Sequence, residues 1–343
     1  MNNFKIINVV SGKGGTGKTL LTAVLAEILG NESHSVLVVD LDVFVRGLTS
    51  LLYYHKKEKM NLSEENEVTV AELFIHKGDI DLAGKNKLSI QRYRSFDVVP
   101  SVAQVDEILY FTDLMPDSKL EAREIITKLI ELIPDNYDYI FFDSRAGYDE
   151  LIYASHFLSD ITLCVEEEDN ISRITSDNLI RQLKEDSSSP IFRIINKSTN
   201  SNNDNYGINS LGKIPFDMDV MQSFGKENFW SGISTTLYKA SLISSWNNLS
   251  NKASLNAIIE NHRVSPTLNV KIEKKLQFYS LTDRVIILYG ALLSVAGILG
   301  PLVRSGQFIE MLSSREGLFN LISFTGAALG VIMMLVVIIR KRK

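Results

Sequence analysis

The chain has 343 residues, 45% of them hydrophobic and 22% charged, a balance that excludes wholesale disorder and allows one large buried core or two modest ones. Its formal net charge of -5 is unevenly placed: residues 263–343 carry eleven Lys and Arg against four Asp and Glu, whereas residues 1–262 carry 25 against 37. An acidic front portion repels a phosphate backbone, so nonspecific DNA binding is not expected, and only HKKEK or the run Arg92 to Arg94 offers a local basic patch.

The first expected element is FKIINVVS, a short apolar run rich in β-branched residues and too short for a signal peptide. The helix expected next is TLLTAVLAEILG, with Leu20, Leu21, Val24, Leu25, Ile28 and Leu29 on one face and Gly30 as its stop. Between them, Gly12, Gly17, Lys18 and Thr19 satisfy G-x-x-x-x-G-K-[ST]. In that pattern the backbone N–H groups of the loop, here through Gly14, Gly15 and Thr16, wrap phosphates. Lys18 then reaches the β and γ groups, and Thr19 offers its hydroxyl to Mg²⁺. The implied ligand is a nucleoside triphosphate with Mg²⁺.

Further strands are expected at SVLVVDLD, FDVVPS, YDYIFFD, DITLCVE and IFRIINK, with helical stretches between several of them. That alternation predicts an α/β fold, a mostly parallel doubly wound sheet with helices on both faces. Ligands of such sheets sit beyond the carboxyl ends of the strands, where Asp40, Asp42, Asp143 and Asn196 all fall. Each residue type also serves as a helix cap or turn former, and it is their common place that singles them out. Asp143, after YIFF, is the natural Mg²⁺ partner, and Asp42 is placed to orient an attacking water. Asn196 and Lys197 begin a guanine-reading pattern, but Thr199 lacks the carboxylate that would accept from guanine, so adenine is favoured. The single cysteine, Cys164, cannot form an intrachain disulfide, and the five histidines show no metal-ligand spacing.

The segment FWSGISTTLYKASLISSW reads as a closing helix with Trp230 and Trp246 packed, and residues 247–284 as a polar, then basic, connector. Residues 285–303 and 318–339 are uncharged runs of nineteen and twenty-two residues, each long enough to cross a bilayer as a helix. Lys271, Lys274, Lys275 and Arg284 precede the first, and RKRK follows the second. The positive-inside bias therefore predicts a multi-pass protein of a bacterial-type cytoplasmic membrane, its front domain and both termini inside, with residues 304–317 as an outer loop and 340–343 as a basic tail.

KGGTGKT, VVDLDVFVRGLT, FFDSRAG and LGKIPFD, in this order over most of residues 1–245, resemble the deviant Walker A ATPases of the ParA/MinD group, and its MinD branch most. The resemblance implies an ATPase domain over residues 1–246 that forms an ATP-dependent homodimer and recruits or regulates a protein partner. It implies that Lys13 reaches across the dimer to the partner subunit's phosphates, that Asp42 orients water with Asp40 as its strand-end companion toward the metal, and that Asp143 is the Mg²⁺-linked aspartate. It further implies that Gly147 senses the γ-phosphate and that Asn196, with Pro215 of LGKIPFD, meets adenine. Two features depart from the pattern. Arg145 stands where relatives usually carry proline, with a phosphate contact, an ion pair to the EEED run or solvent as its options; and two full spans replace a short amphipathic anchor. Three other readings remain: a tyrosine-kinase-like enzyme with Tyr53 or Tyr54 as acceptor, although the tail has no tyrosine; a nucleotide-binding regulatory subunit with little turnover; and a DNA-partitioning role, which the acidic front portion disfavours.

Overall fold

The computed structural model describes residues 4–56, 61–80, 84–110, 114–185, 187–199, 209–226, 228–233, 236–255 and 257–259. Its elements in chain order are β1 (Lys5–Ser11), α1 (Lys18–Asn31), β2 (Val36–Asp40), α2 (Gly47–Lys56), β3 (Glu67–Val68), α3 (Val70–Ile75), β4 (Lys87–Leu88), β5 (Gln91–Tyr93), β6 (Phe96–Val99), α4 (Lys119–Glu131), β7 (Tyr139–Ala146), α5 (Glu150–Phe157), β8 (Ile161–Glu167), α6 (Asn170–Lys184), β9 (Ile191–Ser198), β10 (Ser210–Pro215), α7 (Met218–Ser223), α8 (Phe229–Ile233) and α9 (Leu237–Ala253).

Eight strands form one sheet in the order β10-β9-β8-β1-β7-β2-β6-β5, parallel throughout except for the antiparallel edge pair β5 and β6. The mostly parallel doubly wound sheet expected from the sequence is therefore present. Its central strands are buried on both faces, which is why they read as continuous apolar runs rather than as alternations. Ile7, Val9, Val38 and Phe141 point to one side and pack on α1 and α9; Ile6, Leu37, Val39 and Phe142 point to the other and pack on α3, α4 and α5.

The structure differs from the sequence expectation in several places, the short strands β3, β4 and β5 among them. β10 was not foreseen, and β7 runs on past Asp143 to Ala146. The closing segment divides into α8 and α9, and α9 extends beyond residue 246 to Ala253. Leu255, Ala257 and Ile259 are buried beyond it, with the Trp246 indole donating to the Ala257 carbonyl at 2.7 Å. The basic run Arg92 to Arg94 lies at the sheet edge and is neutralised locally, Arg92 by Asp97 at 3.1 Å and Arg94 by Glu27 at 2.9 Å. Among the described residues no helix is long and apolar enough to cross a membrane; the expected spans, 285–303 and 318–339, lie outside them.

Candidate functional site

The strand order reverses about β1, and the loop that leaves it wraps the head of α1. Gly15 and Gly17 take left-handed backbone, with φ of 80° and 88°. A Cβ on Gly17 would also lie 2.5 Å from the Asn196 amide nitrogen, so the position tolerates only glycine. Around Gly14 and Gly15 there is open space. Gly12 is constrained from below, since a Cβ there would stand 2.3 Å from the Thr175 carbonyl carbon on α6. α1 has Gly17 at its N-cap and no side-chain cap, so the first-turn N–H groups are left for a ligand.

Lys18 is buried, and its ammonium donates to the Ser11 hydroxyl at 2.9 Å. Burial lowers its pKa, and the charges of Asp143 and Asp42 oppose that. Asp143 is 1% exposed, and neither of its oxygens has a hydrogen-bond partner of good geometry. Burial raises its pKa to about 6, against the pull of the Lys18 ammonium and of the Thr19 hydroxyl beside it. A buried carboxylate without donors, flanked by a hydroxyl at the head of an uncapped helix, fits Mg²⁺, which takes few protein ligands and completes its shell with water and phosphate. Among the described residues no group of three or more His, Cys, Asp or Glu could hold a metal alone.

Asp40 departs from its expected place as a metal ligand. It pairs with Asp143 in register across β2 and β7, but it is fully buried and its oxygens are taken. Oδ2 accepts from the Thr49 amide at 2.8 Å and the Thr49 hydroxyl at 2.7 Å, and Oδ1 accepts from the Asp42 amide at 3.2 Å. Asp40 thus anchors the loop after β2 to α2. Burial first, and then the Asp143 charge, lift its pKa to about 8. Asp42 stands on that loop, its Oδ1 accepting from the Val45 amide at 3.0 Å. Arg46, unforeseen in the sequence, fixes the same loop by donating to the carbonyls of Val43 at 2.8 Å and Val105 at 2.7 Å.

Lys13 is held within its own chain, 2.7 Å from Glu167 and 2.8 Å from Asp169. The hydrogen bonds it donates to Asp169 and then to Glu167 raise its pKa. Asn196 is buried at the end of β9 and donates to the Thr16 carbonyl at 2.8 Å, so it supports the phosphate loop from behind. Lys197 follows it onto the Gly15 carbonyl and onto Glu167 at 2.7 Å. Pro215 closes β10 and pairs with Ser198 of β9, on the same side as Asn196. Gly147, with φ of 91°, donates its N–H to the Ser11 carbonyl at 2.9 Å. Arg145 pairs with an acid outside the EEED run: its Nε donates to Asp149, and its guanidinium lies 5.8 Å from the centre of the Phe44 ring. An i,i+4 pair across a loop leaves no periodic trace in a sequence, which is why Asp149 was missed.

The model of the AAA domain family AAA_31 matches residues 4–188, more than half of the chain and the whole span from β1 through α6. The chain belongs to the AAA_31 family. This AAA_31 chain is 27% identical over 196 residues to an uncharacterised ATP-binding protein of Methanocaldococcus jannaschii, covering 56% of the chain and 64% of that protein. It is 28% identical over 148 residues to the septum site-determining protein MinD of a Synechocystis strain, covering 42% of the chain and 46% of MinD. The chain thus spans less than two thirds of the length of either. Among solved structures, a Borrelia burgdorferi protein assigned to plasmid partition and bound to AMPPNP superposes with a TM-score of 0.57 at 22% identity, over 73% of this chain and 99% of that one. MinD from Pyrococcus horikoshii, complexed with Mg-ADP, superposes with a TM-score of 0.54 at 20% identity, over 75% and 100%. The fold is that of the ParA/MinD-type P-loop ATPases.

Proposed function

We propose that the domain binds Mg-ATP and hydrolyses it as a switch, pairing face to face with a second copy to recruit or regulate a partner. The observation that carries this reading is the juxtaposition of Lys18, Thr19 and the unpartnered Asp143 carboxylate at the uncapped head of α1. The first-turn N–H groups and the loop from Gly12 to Gly17 would cradle the phosphates, and Lys18 would exchange the Ser11 hydroxyl for a phosphate oxygen. Thr19 and Asp143 would hold Mg²⁺, which supplies charge compensation on the phosphates. Asp42, on the loop that Arg46 fixes, would orient the attacking water, and Gly147 would meet the γ-phosphate. Lys13 would leave Glu167 and Asp169 to meet the partner subunit's phosphates. Two C-terminal spans would confine the copies to one membrane and raise their effective concentration, with ATP governing pairing rather than attachment.

The test is nucleotide binding and turnover by the detergent-solubilised full chain. Lys18→Ala should abolish Mg-ATP binding, whereas Asp42→Ala should bind normally and lose turnover. Unchanged ATP binding by Lys18→Ala would remove the phosphate-loop reading.

A further inference from the structure

Arg145 connects two loops that the sequence presents as separate. Its Nε donates to Oδ2 of Asp149, while Oδ1 of the same carboxylate accepts from the Ile152 amide at 2.8 Å and caps α5. That pair closes a five-residue loop with Gly147 near its centre, the glycine whose N–H is fixed to the Ser11 carbonyl. On its other side Arg145 reaches the face of Phe44, which stands two residues beyond Asp42 on the loop after β2. Leu41 and Val43 of the loop after β2 and Leu151 and Ile152 of α5 line one small cavity together with Arg145. A guanidinium combines these contacts because its planar fork serves a carboxylate along its edge while its cation lies within about 6 Å of a ring centre. A lysine ammonium has no such fork.

We infer that Arg145 is a positioning residue that mechanically couples the Asp42 loop to the Gly147 loop, so that both settle together when nucleotide occupies the site. This rests on the nucleotide-switch reading above. The contacts of Arg145 with Asp149 and Phe44 involve no residue from Gly12 to Thr19, so cutting them should leave ATP binding little changed. The Asp42 loop loses its registration with the Gly147 loop, and a misplacement of about 1 Å is worth up to roughly a hundredfold in rate.

The test uses the detergent-solubilised full chain with Arg145→Ala, Phe44→Leu, Phe44→Trp, Asp149→Asn and the Arg145→Ala/Phe44→Leu double variant. Asparagine still caps a helix, so Asp149→Asn removes the ion pair while sparing α5. The expected result is a fall in kcat of about 10- to 100-fold for Arg145→Ala, Phe44→Leu and Asp149→Asn, with KM for ATP within about twofold of the parent. Phe44→Trp keeps the ring and should keep kcat, and the double variant should be no worse than its more impaired single. Additive losses, a loss in Phe44→Trp equal to that in Phe44→Leu, or an unchanged kcat in Asp149→Asn would overturn the coupling. Hydrogen exchange on ATP addition reads it without turnover: residues 41–46 and 145–149 should gain protection together in the parent, and only one of them in Arg145→Ala. Joint protection in Arg145→Ala would also overturn it. A parent that neither binds nor hydrolyses ATP would fail the switch reading instead.

Discussion

A lysine ammonium held by two carboxylates has to leave them before it can serve another anion. Lys13 is in that position, and its partners Glu167 and Asp169 are partly exposed, so the hold is weak and reversible. The loop lysine therefore sits ready without being committed. Asp40 and Asp143 show the opposite economy, two carboxylates side by side in register and out of water. With Asp40 raised to about 8 in the folded chain, well above its ordinary value of 3.8, the folded state binds a proton that the unfolded state has lost. Stability of the Mg²⁺-free protein should therefore fall as pH rises from about 4 through 8, and Asp40→Asn should flatten that slope. Thermal midpoints against pH in chelator check this; an equal slope in Asp40→Asn would contradict it. At this scale the sequence placed Gly12 to Thr19 in a strand-to-helix loop and Asp42, Asp143 and Asn196 toward the carboxyl ends of strands, because a phosphate loop has a fixed spacing and apolar runs mark the strands. It did not show that Asp40 is occupied by Thr49, that Asn196 reaches the Thr16 carbonyl, or where Arg145 goes. Those depend on contacts between residues brought together only by the sheet.

At the scale of elements, the parallel strands were legible because burial on both faces demands unbroken apolar runs, as in β2, where all five residues are buried. β10 was not, since it is an edge strand with only Leu211 and Ile214 fully buried, Gly212 at φ 141° and Pro215 at its end. The extension of β7 to Ala146 was hidden by Ser144 and Arg145, polar residues that the sheet accepts because the Ser144 hydroxyl donates to Asn8 at 2.7 Å. α9 is the element whose packing matters most to the domain. Its Trp246 is 1% exposed, meets Tyr139 edge-on at 5.5 Å and ties down the chain beyond the helix through Ala257. Trp246→Ala should cost about 3–5 kcal/mol of unfolding free energy, measured by denaturant titration, whereas Tyr54→Ala at a 70% exposed site should change it by less than about 0.5 kcal/mol. A mild Trp246→Ala would mean that α9 is not part of the cooperative core.

For the molecule as a whole, the account holds that one chain is an incomplete machine. On the proposed reading its site would bind nucleotide with its own residues, and Lys13, paired with Glu167 and Asp169 of its own chain, would act only on a second copy. The acidic front portion, the uncharged runs at 285–303 and 318–339 and the basic residues around them are what motivate the proposal of a membrane-anchored device with a protein partner. The most direct measurement of the central claim is the oligomeric state of the detergent-solubilised full chain by sedimentation, with and without Mg-ATP, for the parent, Lys13→Ala and Asp42→Ala. The account predicts that Mg-ATP converts the parent from monomer to dimer, that Asp42→Ala accumulates the dimer, and that Lys13→Ala stays monomeric with turnover reduced about 10³-fold. A Lys13→Ala chain that hydrolyses ATP as a monomer at the parent's rate would contradict it.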